Sequence, residues 1–138
     1  MIGLDTNVLA RYYIADDADA EATRQHAAAA RLMESGQPLM VCKTVLLEFE
    51  WVMRGYYGLA SEEVHAVMHH LLALPQVTIE DREAVAQALS HSDAGLDLAD
   101  ALHHASYRGC ANMASFDDKK FVRRVKRMGL MPGVVIPG

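Results

Sequence analysis

The stretch Met1-Ile-Gly-Leu-Asp-Thr-Asn7 decides the fold class of this chain. Its short apolar run, Ile2–Leu4, ends abruptly in Asp5 and two small polar residues, and apolar residues then recur at helical spacing from Val8 onward. The pattern predicts a short strand, a carboxylate at its carboxyl end and a helix directly afterwards. In α/β proteins, ligand crevices form at the carboxyl ends of parallel strands.

The same alternation continues along the chain. Amphipathic segments separate the apolar runs, and Thr44 and Ser61 are predicted to cap two of the helices. The predicted strands are Ile2–Leu4, Leu39–Cys42, Val77–Ile79, Met113–Phe116 and Val134–Ile136. Short strands alternating with helices predict a three-layer α/β/α sandwich with a short central parallel sheet, forming a single domain over residues 1–138.

Composition limits the classes of partner. The chain has 13 basic and 18 acidic residues and a formal net charge of −5, so a polyanionic substrate would need local cations to overcome this field. Cys42 and Cys110 belong to no CxxC pair and are expected to be buried, reduced thiols. The sequence shows no signal peptide and no membrane-spanning run, and we expect a cytoplasmic protein without a membrane partner.

Acidic residues recur near the predicted strand ends. Asp117 has the same context as Asp5, because each follows an apolar strand and precedes a helix. Glu48 lies in the first turns of the helix after the second strand. Each acid also has an ordinary structural explanation, since Asp5 and Asp117 could be N-caps and Glu48 a solvated helix residue. Glu50 is expected to be structural and to pair with Arg54 at i+4.

A fourth acidic position lies on the helix predicted over Asp97–Arg108. Asp97 and Asp100 are three residues apart and share one helix face, which His104 and Arg108 continue at the next helical spacings. Carboxylates suit Mg²⁺ and Mn²⁺, and close carboxylates without a cation would repel one another and a phosphodiester. We therefore predict a divalent metal site at which the catalytic acids meet: Asp5, Glu48, Asp100 and Asp117.

Four segments of the chain together resemble the PIN-domain ribonucleases, and most of all the VapC toxins of type II toxin–antitoxin pairs. These segments are Leu4-Asp-Thr-Asn-Val-Leu9, Thr44-Val-Leu-Leu-Glu-Phe-Glu-Trp51, Asp97-Leu-Ala-Asp-Ala-Leu-His103 and Ser115-Phe-Asp-Asp-Lys-Lys-Phe121. The resemblance implies a PIN-like fold and a Mg²⁺- or Mn²⁺-dependent endoribonuclease. It implies that the metal ligands are Asp5, Glu48, Asp100 and Asp117, with Asp97 assisting.

The resemblance also implies supporting residues and partners. Thr6 and Asn7 match the small polar pair of the family and are expected to orient Asp5 or a water molecule. Ser115 stands where the family usually has Thr, and either hydroxyl can orient a carboxylate. Beside an RNA substrate, the resemblance implies a small antitoxin protein that inhibits the nuclease, a homodimer and a hetero-oligomer with the antitoxin.

A basic run follows Asp117 on the last predicted helix. It has two interpretations, a solvated face or a surface that binds RNA phosphates near the metal. Candidate RNA-backbone contacts are Arg108, Lys119, Lys120, Arg123, Arg124 and Arg127. Asp118, beside Asp117, is interpreted as the cap of this helix. The aromatic residues Trp51, Tyr56 and Tyr57 are either core or a patch for a partner.

Other functions remain as alternatives. A PIN nuclease could act in RNA maturation rather than as a toxin. A phosphatase with a nucleophilic Asp normally has a second Asp two positions on, where this chain has Asn7. A receiver module places its phosphorylated Asp later in the chain than Asp5. The seven histidines form no HExxH or Cys/His framework, so a zinc site is not expected.

Overall fold

Short strands and helices alternate along the chain in a computed structural model that describes residues 1–138. The strands are β1 (Ile2–Gly3), β2 (Leu39–Val41), β3 (Val77–Ile79), β4 (Asn112–Ala114) and β5 (Gly133–Val135). The helices are α1 (Thr6–Tyr13), α2 (Ala20–Met33), α3 (Lys43–Trp51), α4 (Ser61–Ala73), α5 (Arg82–Asp93), α6 (Leu98–Ser106) and α7 (Arg123–Met128). Two π-helical segments, Val52–Tyr56 and Asp118–Val122, extend α3 and precede α7.

The chain divides into two compact units, Met1–Arg82 and Glu83–Gly138. In the first unit, β2 lies between β1 and β3, and both pairings are parallel. Leu39 pairs with Ile2 on one side and with Val77 on the other. Parallel neighbours need long crossover connections, and α1 with α2 and α3 with α4 provide them.

The core of the first unit is built from one face of each helix. α1 packs against α2 and α3, and α4 contacts β3 and the π-helical segment after α3. The Phe49 side chain is fully buried, and its ring centroid lies 5.9 Å from that of Tyr13. The next residue of α3, Glu50, accepts a 2.8 Å hydrogen bond from Arg54 Nε, which confirms the predicted i, i+4 ion pair.

The carboxyl edge of this sheet is tied together by polar contacts. The backbone N–H of Lys43, just beyond β2, donates to Glu80 Oε1, just beyond β3, at 2.8 Å. The Lys43 ammonium also lies 3.1 Å from Asp81 Oδ2. These bonds fix the start of α3, and therefore the position of Glu48 on that helix.

The second unit contains the parallel pair β4–β5, with α7 packed against β5. Its core includes Leu89, Leu102, Phe121 and Val125, which are almost completely buried. Its helix α6 buries one side and leaves Asp100 half-buried. None of the helices of the protein is long and apolar enough to cross a lipid bilayer.

His104 lies in the core of the second unit, so the prediction that it continues the polar face of Asp97 and Asp100 is wrong. Its side chain is fully buried, and its Nε2 lies 2.7 Å from the carbonyl oxygen of Pro132. Its ring stands edge-on to Phe121 and 6.5 Å from the ring of His91. The buried face of α6 is therefore wider than its aliphatic residues alone indicated.

The His91–His104 pair gives a testable pH dependence of stability. Burial lowers the pKa of His91, and His104 lowers it further. Because the folded state disfavours protonated His91, its contribution to stability is complete above the unfolded pKa of about 6.5 and is lost as the pH falls. We expect the thermal unfolding midpoint to drop between about pH 7.5 and about pH 5. The drop should be smaller in His91→Gln, and an equal drop in both proteins would contradict this origin.

Several local predictions need correction. Ser61 is the first residue of α4 rather than its cap, and the Ala60 N–H donates to Glu63 Oε1 at 3.2 Å instead. Thr44 lies inside α3, whose N-cap position is Cys42. Cys42 is only half-buried and Cys110 is exposed, so the prediction of two buried thiols is wrong, although both are free.

Candidate active site

Asp5 is placed by the transition from β1 to α1. It follows the strand after one further residue, and its side chain caps α1, with Oδ1 accepting a 2.8 Å hydrogen bond from the Thr6 N–H. The N-cap interpretation of Asp5 is therefore confirmed. A carboxylate has two acceptor oxygens, so the cap leaves Oδ2 for another ligand, and the exposed side chain is accessible to one.

Glu48 and Asp5 line the same cleft. Glu48 is exposed on α3, and the cleft of about 540 Å³ lies within the first unit. The remaining lining residues are Thr6, Asn7, Ala10, Arg11, Gln25, Val52, Tyr56 and Tyr57. The first unit thus brings together the two predicted acids that it contains, along with the predicted supporting pair.

The supporting residues contribute in different ways. Thr6 is buried, and its hydroxyl makes no hydrogen bond within the protein, so it holds Asp5 through its backbone N–H. Asn7 is exposed and lines the cleft, where its amide can reach a ligand. Thr6 therefore orients Asp5 through its backbone N–H and not through its hydroxyl.

The sequence did not indicate that four further residues line this cleft together: Arg11, Gln25, Tyr56 and Tyr57. Arg11 Nε donates to Gln25 Oε1 at 2.8 Å, and its Nη1 lies 3.5 Å from the Tyr57 hydroxyl. One signal was present, because Arg11 follows Asn7 at i+4 on the same helix face. No signal in the sequence indicated that Gln25 of α2 would meet Arg11.

Asp97 begins the acidic cluster of the second unit. It is the N-cap of α6, and its Oδ1 accepts from the N–H groups of Ala99 at 3.0 Å and Asp100 at 3.4 Å. Capping fixes the Asp97 carboxylate beside the first turn of α6, where Asp100 is located. Asp97 and Asp100 therefore lie together at the start of α6.

Asp100 carries the clearest electrostatic perturbation of this cluster. Burial raises its pKa above the ordinary value, and the negative charges of Asp97 and Asp117 raise it further. The positive charges of His103 and Arg124 act in the opposite direction. The carboxylates of Asp97 and Asp117 are thus close enough to repel that of Asp100, and the nearby cations compensate only in part.

Asp117 is held by the turn between β4 and α7. Its Oδ1 accepts from the Lys120 N–H at 3.2 Å, and its own N–H donates to Ser115 Oγ at 3.1 Å. Ser115 therefore positions the backbone of Asp117. The cap of this helical segment is Asp117 itself, so the prediction that Asp118 is the cap is wrong.

The basic residues of the second unit divide by their surroundings. Lys119, Lys120, Arg123 and Arg127 are exposed, whereas Arg124 is half-buried and acts on Asp100. Arg108 donates to the Ala105 carbonyl at 3.3 Å and lies 3.9 Å from Glu83. Four of the candidate RNA contacts are therefore accessible to solvent beyond Asp117, and their contact with RNA stays a prediction.

The donor set fits a hard divalent cation in its chemistry. All predicted ligands are carboxylates, and carboxylate oxygens are the ligands that Mg²⁺ and Mn²⁺ prefer. In the structure, no three His, Cys, Asp or Glu side chains form a metal-binding group. The five-carboxylate metal site, with Asp5, Glu48, Asp97, Asp100 and Asp117, stays a prediction.

Comparison with known proteins assigns the family. A family model described as the PIN domain matches residues 2–127, which is most of the chain. No curated protein matches the sequence significantly. The match and the parallel strands alternating with helices confirm the predicted α/β fold class. The chain belongs to the PIN domain family, whose members are generally nucleases.

Proposed function

We propose that this PIN domain is a Mg²⁺- or Mn²⁺-dependent endoribonuclease. The observation that carries the proposal is that the predicted acids lie together within each unit: Asp5 and Glu48 line one cleft, and burial together with the charges of Asp97 and Asp117 raises the pKa of Asp100. Such a cluster costs stability, and perturbed carboxylates of this kind are typical of functional sites. The family match supports nuclease chemistry, and divalent metals are usual in PIN nucleases.

In this proposal the chain's carboxylates would hold the cation. Asp5 and Glu48 of the first unit and Asp100 and Asp117 of the second would be ligands, with Asp97 in support. A bound divalent cation would stabilise charge on the scissile phosphate and increase the acidity of water. Arg124 would limit the repulsion around Asp100, and the exposed cations after Asp117 would hold RNA phosphates. The products would carry 5′-phosphate and 3′-hydroxyl ends.

The test is cleavage of total RNA by the purified protein. We expect new RNA ends in the presence of Mn²⁺ or Mg²⁺ and none in excess EDTA, because the proposed chemistry needs the bound cation. Sequencing the new ends identifies the RNA and the position of cleavage. Lack of new ends with either metal, from a protein that is folded by circular dichroism, would refute the proposal.

We propose further that the nuclease is a toxin acting in the cytoplasm, inhibited by a small antitoxin protein and assembled as a homodimer. The VapC-like motif order supports this. Expression should arrest growth, and co-expression of a small neighbouring open reading frame should restore it. Undisturbed growth together with cleavage of one RNA precursor would instead assign the enzyme to RNA maturation.

A further inference from the structure

The cleft beside Asp5 and Glu48 has an aromatic wall. Tyr56 and Tyr57 stand edge-to-face, with ring centroids 4.8 Å apart and planes at 81°. Tyr56 is 76% exposed, so its ring is not part of the core. Its ring is therefore available to a ligand that enters the cleft.

The Tyr56 ring lies at the end of the π-helical segment Val52–Tyr56. The Tyr57 N–H donates to the Val52 carbonyl at 3.0 Å, which is the wide i→i+5 pattern. Residues spaced by four lie on one side of a helix, and Glu48, Val52 and Tyr56 accordingly all line the cleft.

Arg11 supplies the positive charge of this cleft, which the carboxylates of Asp5 and Glu48 also line. Gln25 and the Tyr57 hydroxyl engage two of its five N–H donors and hold the guanidinium in place. The remaining donors suit a phosphate group, which a guanidinium binds in two-pronged geometry. The cleft therefore combines a fixed cation with an open aromatic ring.

We propose that this cleft binds one unpaired nucleotide of the RNA next to the cleavage position, with its base stacked on Tyr56 and a phosphate on Arg11. The inference rests on the proposed ribonuclease function. Bases in an RNA duplex are stacked inside the helix and cannot reach a side chain, so this subsite selects single-stranded segments. Stacking accepts any base, so Tyr56 contributes affinity without fixing the sequence.

Binding measured in EDTA separates this subsite from catalysis. The probe is a fluorescent, unstructured RNA of about eight nucleotides, titrated at fixed low salt and followed by anisotropy. Tyr56→Ala should weaken binding roughly 5- to 150-fold, the range for loss of one base–aromatic stack. Tyr56→Phe keeps the ring and should bind nearly as the unmodified protein does. Arg11→Met should weaken binding and reduce its salt dependence.

Trp51→Ala is the matched control, because Trp51 is an aromatic residue of the same helix, 60% exposed and outside the cleft. It should leave RNA affinity unchanged. A hairpin that pairs the same bases should bind less tightly than the open strand. In Mn²⁺, Tyr56→Ala should raise the KM for cleavage more than it lowers kcat.

Three results would overturn the subsite. The first is that Tyr56→Ala and the unmodified protein bind RNA with equal affinity. If the protein still cleaves RNA in that case, only the subsite is refuted and the ribonuclease proposal stands. The second is unchanged RNA affinity with loss of self-association in Tyr56→Ala, which would assign the ring to a protein interface. The third is lack of RNA binding by the unmodified protein, and if cleavage is also absent both proposals fail.

Discussion

Replacement of Asp100 by Asn should reduce metal-dependent RNA cleavage by at least about 100-fold, and Asp5→Asn should do the same. Each change removes a charged ligand from the predicted site while keeping the size of the side chain. Loss of one anionic ligand weakens both the hold on the cation and the placement of phosphate. Initial cleavage rates of a single RNA at saturating Mn²⁺ measure the effect.

The fold of Asp100→Asn should remain intact. Because burial, Asp97 and Asp117 raise the pKa of Asp100, the folded state disfavours its ionised form, and this form destabilises the fold at neutral pH. The uncharged amide should therefore keep or raise the thermal midpoint in EDTA. The matched control is Asp118→Asn, which changes the exposed acid next to Asp117 and should cleave RNA normally. Full activity of an Asp5→Asn/Asp100→Asn double variant would remove the assigned site.

Replacement of Phe49 by Ala should destabilise the protein by about 3–5 kcal/mol. The side chain is fully buried on α3 between the two glutamates, and its ring lies against that of Tyr13. Truncation leaves a cavity that the surrounding helices fill only in part. A loss of this size is a large share of the about 5–15 kcal/mol that stabilise a typical domain. Chemical denaturation followed by circular dichroism measures it.

Trp51→Ala is again the matched control, because this aromatic residue of α3 is 60% exposed. Its change should alter stability by less than about 0.5 kcal/mol. Phe49→Ala should also lower cleavage activity, because the adjacent Glu48 depends on the position of α3. Equal stabilities of the two variants would show that α3 does not anchor the core as its burial indicates.

Sequence patterns predicted the parts of the fold that depend on local chemistry. The abrupt change from apolar to polar residues at Asp5 gave the strand end, and helical spacing gave α4 and α6 nearly to their observed limits. The sequence also predicted the i, i+4 pairing of Glu50 with Arg54. These features depend on neighbours within about one helical turn, which is the range that a sequence pattern describes well.

The features that the sequence did not reveal depend on contacts between distant segments. His104 looks polar in the sequence, but its hydrogen bond to Pro132, 28 residues away, allows full burial. Arg11 meets Gln25 and Tyr57 only after three helices have packed together. The π-helical segments are likewise invisible to a period of 3.6 residues.

The wide turn at Val52–Tyr56 makes the number of residues, as well as their identity, a determinant of the cleft beside Asp5 and Glu48. Removing one residue from this segment would let a regular α-helix continue to its end and would rotate the remaining side chains of the segment by about 100° around the axis. A homologous protein that lacks this residue would therefore present another side chain to the cleft. If the cleft binds RNA as proposed, length variation here is a simple route by which related proteins could change which RNAs they accept.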